Sequence, residues 1–160
     1  ARMVFSDMSI INNPNSTLLK LQKMDANYLI SKPLRMLCQN CVAGCSMSLN
    51  LVARNNIINF GKIPKGIVHD HWITVLVSIN GEVHFLPNLL VKYRLHESNQ
   101  IGTQAFNIFY IFKRLVNLKA TFTHDISMIK ELSLVKKPFL AEYFFTKIGV
   151  NLHRFFYRFF

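Results

Sequence analysis

Cysteine is scarce in this sequence. Three cysteines occur among 160 residues, and this small odd number favours a reducing, cytoplasmic compartment over a disulfide-stapled secreted fold. Cys38 and Cys41 have the C-x-x-C spacing of a zinc site, and Cys45 follows them. A zinc site normally needs four ligands, however, and the nearest histidine is His69. Buried structural thiols are therefore the favoured interpretation.

Acidic residues and long apolar runs are also scarce. The sequence contains eight Asp and Glu residues and 19 Lys and Arg residues, so its net charge is +11. This balance predicts an anionic partner, and charge alone leaves nucleic acid, an anionic membrane surface and phosphorylated substrates open. The most apolar stretch, residues 105–115, contains Lys113 and Arg114, so we expect no membrane-spanning helix.

The chain is predicted to form one compact domain or a large part of one, because 51% of its residues are hydrophobic. The sequence begins with alanine, and residues 2–7 have the pattern of a buried strand with no turn before it. This pattern predicts that the sequence starts partway along a longer chain. Alternating strands and helices up to about Gly102 favour an α/β unit. The predicted elements are a strand end at 4–7, a loop at 12–16 with Ser16 capping a helix from Thr17, helical pieces within 25–40 broken at Pro33, a strand at 42–49, a helix at 51–58, a loop at 61–66, a helix at 69–79, and strands at 83–85 and 89–93 around Pro87.

After Gly102 the pattern predicts helices only, one starting near Phe106 and one after Pro138. The last segment has two tracks at near-helical spacing, which predicts an amphipathic helix with a basic face. Such a helix either packs against the rest of the protein or lies on an anionic membrane, and both interpretations stay open. The apolar track is Phe144, Ile148, Leu152, Phe156 and Phe159, and the basic track is Lys147, Asn151, Arg154 and Arg158.

The densest cluster of chemically capable residues is His69, Asp70, His71 and Trp72, at the predicted start of a helix. A carboxylate there can accept a proton from a substrate hydroxyl as a general base. The alternative is that Asp70 only caps the helix.

Two further clusters are candidates for binding. Arg94 and His96 follow Tyr93 at a strand end, where they are suited to hold a diphosphate, or His96 to complete the shell of a divalent metal. The alternative is a solvated strand end. In the segment Gly44, Cys45 and Ser46, small residues allow a ligand close to the backbone.

Taken in series, these segments resemble the second half of family-two glycosyltransferases, particularly the rhamnosyltransferase-like group that builds bacterial surface polysaccharides. The matching stretches are GCSMSLN at 44–50, IPK at 63–65 ahead of HDHW at 69–72, GEVHFLP at 81–87 and YRLHESNQIG at 93–102. The resemblance implies the C-terminal half of a GT-A (Rossmann-like) mixed sheet over residues 1–102, followed by an α-helical extension over 103–160. It further implies an inverting transfer of a sugar, rhamnose among the candidates, from a nucleotide diphosphate to an acceptor hydroxyl.

By this resemblance Asp70 matches the catalytic base. Trp72 and Gly44 match the lining of the acceptor and donor pocket, with Cys45, Ser46, His69 and His71 beside them. Tyr93, Arg94 and His96 match a motif near the donor diphosphate, and Ser6 and Asp7 match the strand end after the metal-binding region. The implied partners are a nucleotide sugar, a saccharide or lipid-linked saccharide acceptor and an anionic membrane, with the protein cytoplasmic or peripheral on the cytoplasmic face of the inner membrane.

The family's metal-binding Asp-x-Asp motif does not occur in these 160 residues. We therefore expect the Mn or Mg ligands and the nucleotide pocket to lie in an N-terminal half that precedes this chain, and the fragment alone to be inactive. Two other classes remain: a catalytically dead remnant or membrane-associated interaction protein, and a nucleic-acid-binding module. The last is disfavoured because the aromatic residues cluster in the helical tail and no nucleic-acid motif occurs.

Overall fold

The structure, a computed structural model, describes residues 1–11, 13–95, 118–132 and 137–157. Within these ranges a four-stranded open mixed sheet is combined with helices, so the predicted α/β class is confirmed. The elements in chain order are β1 (Arg2–Ile10), β2 (Asn13–Thr17), α1 (Leu18–Gln22), α2 (Ala26–Ile30), α3 (Pro33–Cys38), a 3-10 turn (Gly44–Ser46), β3 (Met47–Leu49), α4 (Leu51–Phe60), α5 (His69–Asn80), β4 (Glu82–Tyr93), α6 (Leu118–Glu131) and α7 (Lys137–Phe156).

Strand β1 lies at the centre of the sheet. On one side it pairs in parallel with β4 along its whole length, and on the other it pairs antiparallel with β3 at its start and β2 at its end. The prediction of two strands around Pro87 is wrong, because β4 is continuous. Its register shifts where Ser6 pairs with Leu86 and Asp7 with Leu89. This bulge accommodates proline, which has no N–H to give to a ladder.

The short helices begin at residues that satisfy their free amides. Asp25 accepts a hydrogen bond from the Tyr28 amide at 3.0 Å, and Pro33 takes the first turn of α3, where an N–H is not needed. Asn50 accepts hydrogen bonds from the amides of Ala53 at 2.9 Å and Arg2 at 3.0 Å, so it joins α4 to the start of β1. The predicted helices at 25–40 and 51–58 are confirmed.

Some predictions near the sheet are wrong. Residues 13–17 form β2 rather than a loop, and Thr17, not Ser16, caps α1 by accepting from the Lys20 amide. The segment predicted as a strand at 42–49 is a 3-10 turn followed by the short β3. Helix α6 lies in the stretch after Gly102 that was predicted to be helical, although its bounds were not predicted, and the helix start expected near Phe106 lies outside the described residues.

The sheet and helices share one main core. Met3 and Phe5 of β1 belong to it, as does Trp72 of α5. The helical extension contributes to the same core through Met128 of α6 and Val150 of α7. The extension is thus packed onto the first 95 residues through buried side chains.

Candidate active site at the start of α5

Asp70 is the second residue of α5 and is 8% exposed. Its Oδ1 accepts a hydrogen bond from the His71 amide at 2.6 Å and another from Nδ2 of Asn40 at 3.3 Å. The capping prediction is wrong in its simple form, because the N-cap position belongs to Val68, which makes no side-chain cap bond. A carboxylate in the first turn is still favoured by the helix dipole.

Asn40 holds this carboxylate from a neighbouring loop. Its Nδ2 also donates to the Val42 carbonyl at 2.8 Å, and its Oδ1 accepts from the Val42 amide at 3.0 Å. These two bonds fix the plane of the amide group. Sequence reasoning did not find Asn40, because a single asparagine in a predicted helical segment carries no signal of a partner at position 70.

Both of the carboxylate's hydrogen bonds go to Oδ1. Within the described part of the chain, Oδ2 of Asp70 accepts no hydrogen bond. The Asp70 carbonyl is also used, since it accepts from Oγ1 of Thr74 at 2.6 Å. The arrangement therefore fixes the carboxyl group through one oxygen and leaves the other for an incoming proton donor.

Gly44 lies against the side chain of His69. A Cβ placed on Gly44 would be 2.8 Å from Nε2 of His69, so any larger residue at position 44 would make the imidazole turn away. His69 is exposed, and Cys45 beside it is exposed too. The 3-10 turn and the first residue of α5 thus meet next to Asp70.

Tyr93 approaches the other side of this turn. It packs with Val91 against the small core cluster of Met8 and Ala43. Partial burial raises the pKa of Tyr93, and the nearby Cys45 raises it further. The structure therefore gathers five of the predicted site residues in one region: Gly44, Cys45, His69, Asp70 and Tyr93.

Other predicted site residues are directed elsewhere. Nε2 of His71 is 2.9 Å from the Met36 carbonyl, and the hydroxyl of Ser46 donates to the Ala43 carbonyl at 3.0 Å. Trp72 is 1% exposed and belongs to the core, and its ring packs edge-on against the exposed Phe60. Within the described ranges, Nε1 of the Trp72 side chain has no hydrogen-bond acceptor.

One predicted residue follows β4, and another pair lies within β1. Arg94 is exposed directly after β4, and His96 lies outside the described residues. Ser6 and Asp7 are in the middle of β1 rather than at its end. Oδ1 of Asp7 accepts from the amides of Met8 at 2.7 Å and Leu19 at 3.1 Å, so this carboxylate fastens the first turn of α1 to the sheet.

The described residues do not fit the divalent metal that the resemblance implies. Across residues 1–11, 13–95, 118–132 and 137–157, no three His, Cys, Asp or Glu side chains are grouped to hold a metal ion. Cys38 and Cys41 are buried, and burial raises the pKa of the Cys41 thiol to about 12. Metal binding by cysteine requires the thiolate, which burial disfavours here.

No protein-family model matches the chain, and neither a curated protein nor a solved structure matches it.

Proposed function

We propose that this chain is the acceptor-side half of the catalytic domain of an inverting glycosyltransferase. Its reaction is transfer of a sugar from a nucleotide diphosphate to an acceptor hydroxyl in the assembly of bacterial surface polysaccharide or lipopolysaccharide. The observation that supports this most is the carboxylate of Asp70, which is held through Oδ1 by Asn40 and the His71 amide and accepts no bond at Oδ2 from described residues.

The proposed step begins with the acceptor hydroxyl beside Asp70. Oδ2 takes the hydroxyl proton while the acceptor oxygen forms a bond to the anomeric carbon of the donor. The bond from that carbon to the phosphate oxygen breaks, and its electron pair leaves with the nucleoside diphosphate from the opposite face. The configuration at the anomeric carbon is inverted. General-base assistance of this kind contributes about 10²- to 10⁴-fold in rate.

Neighbouring residues support the same role. The imidazole of His69 fills the space beside Gly44, and because this side chain is exposed it can turn away to admit a ligand close to the backbone of the 3-10 turn. Asn40 keeps the carboxyl group in one orientation, which matters because a general base must stay within hydrogen-bond reach of the proton that it removes.

The charge of the chain suits the proposed substrates. A net charge of +11 attracts nucleotide diphosphates and other anionic ligands. The proposal assigns the nucleotide pocket, and the ligands of a metal that would stabilise the leaving diphosphate, to a segment outside these 160 residues.

The test is sugar transfer by the full coding sequence that contains this chain. A panel of UDP- and dTDP-sugars is offered with saccharide acceptors in the presence of Mn or Mg, and the product is examined by NMR at its anomeric position. The proposal expects transfer from at least one donor, with the anomeric configuration opposite to the donor's. Retention of configuration would contradict the mechanism. Absence of transfer from every donor would favour a non-enzymatic interaction protein.

A further inference from the structure

Helix α7 directs two of its basic residues, Lys147 and Arg154, toward the protein. Lys147 and Arg154 are 8% and 3% exposed, as buried as the neighbouring Tyr143 and Val150. Nζ of Lys147 donates to the Cys38 carbonyl at 2.7 Å and to Oδ2 of Asp125 at 2.5 Å. The hydroxyl of Tyr143 donates to the same Asp125 oxygen.

Arg154, seven residues after Lys147 on α7, is fixed in the same way. Its Nη1 donates to Oε1 of Gln39 and its Nη2 to the Gln22 carbonyl, both at 2.7 Å. Cys38 and Gln22 are the last residues of α3 and α1, so both cations meet carbonyls at helix C-terminal ends. Such ends attract positive charge and carry carbonyls without a helical partner. These buried contacts fix the rotation of α7 about its axis.

The opposite face of α7 is apolar and exposed. Seven large apolar side chains on it are between 38% and 72% exposed, and we call this set the α7 ridge. It extends over 16 residue steps, or about 24 Å of helix at 1.5 Å per residue. Its members are Leu140, Phe144, Phe145, Ile148, Leu152, Phe155 and Phe156.

We propose that the α7 ridge inserts into the interface of an anionic lipid bilayer, with the helix lying parallel to the membrane surface. An exposed apolar patch of this kind marks an interaction site. Because the buried contacts of Lys147 and Arg154 fix the helix rotation, the ridge cannot turn inward. Phenylalanine and leucine on one face are typical of helices that lie in the interface.

Charge decides between a bilayer and a second copy of this chain. The chain carries +11, so two copies would repel each other, whereas an anionic leaflet attracts it. In the sequence, Lys136 and Lys137 precede the ridge and Arg158 follows it, while Glu142 is the one acidic residue between them. None of the helices within the described ranges combines the length and hydropathy needed to cross a bilayer. Association along the surface is therefore the proposed mode.

This inference does not depend on sugar transfer, since it rests on α7 and not on Asp70. The test is flotation of the 160-residue chain with vesicles of phosphatidylcholine alone and with vesicles that contain about one third phosphatidylglycerol. We expect the chain to float with the anionic vesicles and to bind less in high salt, because salt screens the attraction. The double variant Phe145→Asp with Leu152→Asp should bind at least about tenfold less, because both side chains would leave the apolar phase.

The matched control is Leu51→Asp on α4, because Leu51 is 68% exposed and Phe145 is 72% exposed. We expect this variant to float like the wild type, and circular dichroism should show the same helix content in all proteins. The proposal is overturned if the wild type does not float with anionic vesicles, if the ridge variant floats equally well, or if the Leu51 variant loses as much binding. A dimer in sedimentation that the ridge variant dissociates, without vesicle binding, would identify a second copy as the occupant.

Discussion

Nδ2 of Asn40 donates to Oδ1 of Asp70 across 3.3 Å, and the two residues are 30 positions apart in the sequence. This bond joins the loop that follows α3 to the first turn of α5. Because Asn40 is itself fixed by two bonds to the backbone of Val42, the carboxylate is oriented by a rigid partner.

We expect Asn40→Ala to lower kcat of sugar transfer by about tenfold or more, because the carboxylate loses its orientation relative to the acceptor hydroxyl. The affinity for the donor should not change, since Asn40 acts through Asp70. Steady-state kinetics measures the change in kcat, and titration with the donor measures its affinity. Asn56→Ala, at an exposed position of α4, is the control and should behave like the wild type. An equal loss in both variants would contradict a positioning role.

A second prediction concerns Gly44 and His69. In Gly44→Ala the new Cβ meets Nε2 of His69, so the imidazole must turn away. Gly44→Ala should lower the free energy of unfolding only slightly, because His69 is exposed and can move. This loss should vanish when the imidazole is absent. A double-mutant cycle of Gly44→Ala and His69→Ala, measured by urea unfolding, should therefore give a coupling energy of about 0.5–1 kcal/mol. Strict additivity would show that the two side chains do not interact.

A third prediction concerns the buried Lys147 and Asp125. Lys147→Met removes the buried cation that donates to the Asp125 carboxylate, and it should lower the free energy of unfolding by about 3–5 kcal/mol. Adding Asp125→Leu removes that charge and should recover much of the loss. Lys130→Met, at an exposed site on α6, serves as the control with a change below about 0.5 kcal/mol. A small effect for Lys147→Met in urea unfolding would show that the pair is not essential to the docking of α7.

A fourth prediction concerns Cys41 and pH. Burial raises its pKa from 9.0 to about 12, so above pH 9 the unfolded chain releases this proton while the folded chain keeps it. The protonated Cys41 thiol makes its full contribution to the free energy of unfolding below pH 9, and this contribution is lost as the pH rises toward 12. At pH 10.5 the wild type should have lost about 2 kcal/mol relative to its own value at pH 8 through this thiol alone.

The measurement is urea unfolding at both pH values for the wild type and for Cys41→Ala. The difference in pH dependence between the two proteins isolates this thiol from the tyrosines and lysines that titrate in the same range. Parallel pH dependence in the two proteins would contradict burial of Cys41.

The helices were predictable where local signals are strong. Asp25 is a good cap, Pro33 belongs in a first turn, and α5 has apolar residues at helical spacing. The continuity of β4 across Pro87 was not predictable, because the bulge depends on pairing with β1, which is remote in the sequence. The inward direction of Lys147 was hidden for the same reason, since its partners Cys38 and Asp125 lie on other helices.

The candidate site was predictable only in part. A carboxylate between two histidines made Asp70 a candidate from sequence alone, and the small residues indicated a close backbone approach at Gly44, although the segment was predicted as a strand rather than a 3-10 turn. The helical spacing of Trp72 with Val75 and Leu76 placed it on the apolar face of α5, whereas the resemblance placed it in a pocket, and nothing in the sequence indicated that Asp7 would fasten α1. Both outcomes depend on which face of an element meets the core, and tertiary contacts decide that.

In the proposed reaction the Asp70 carboxylate removes the proton of the acceptor hydroxyl. The most direct test is the transfer rate of Asp70→Asn in the full coding sequence, with Asp25→Asn as the control, because asparagine also serves as a helix cap at position 25. The account predicts a fall in kcat of about 10²-fold or more for Asp70→Asn with donor binding kept, and little change for Asp25→Asn. Unchanged transfer by Asp70→Asn would contradict the account and leave Asp70 as a structural residue of the first turn of α5.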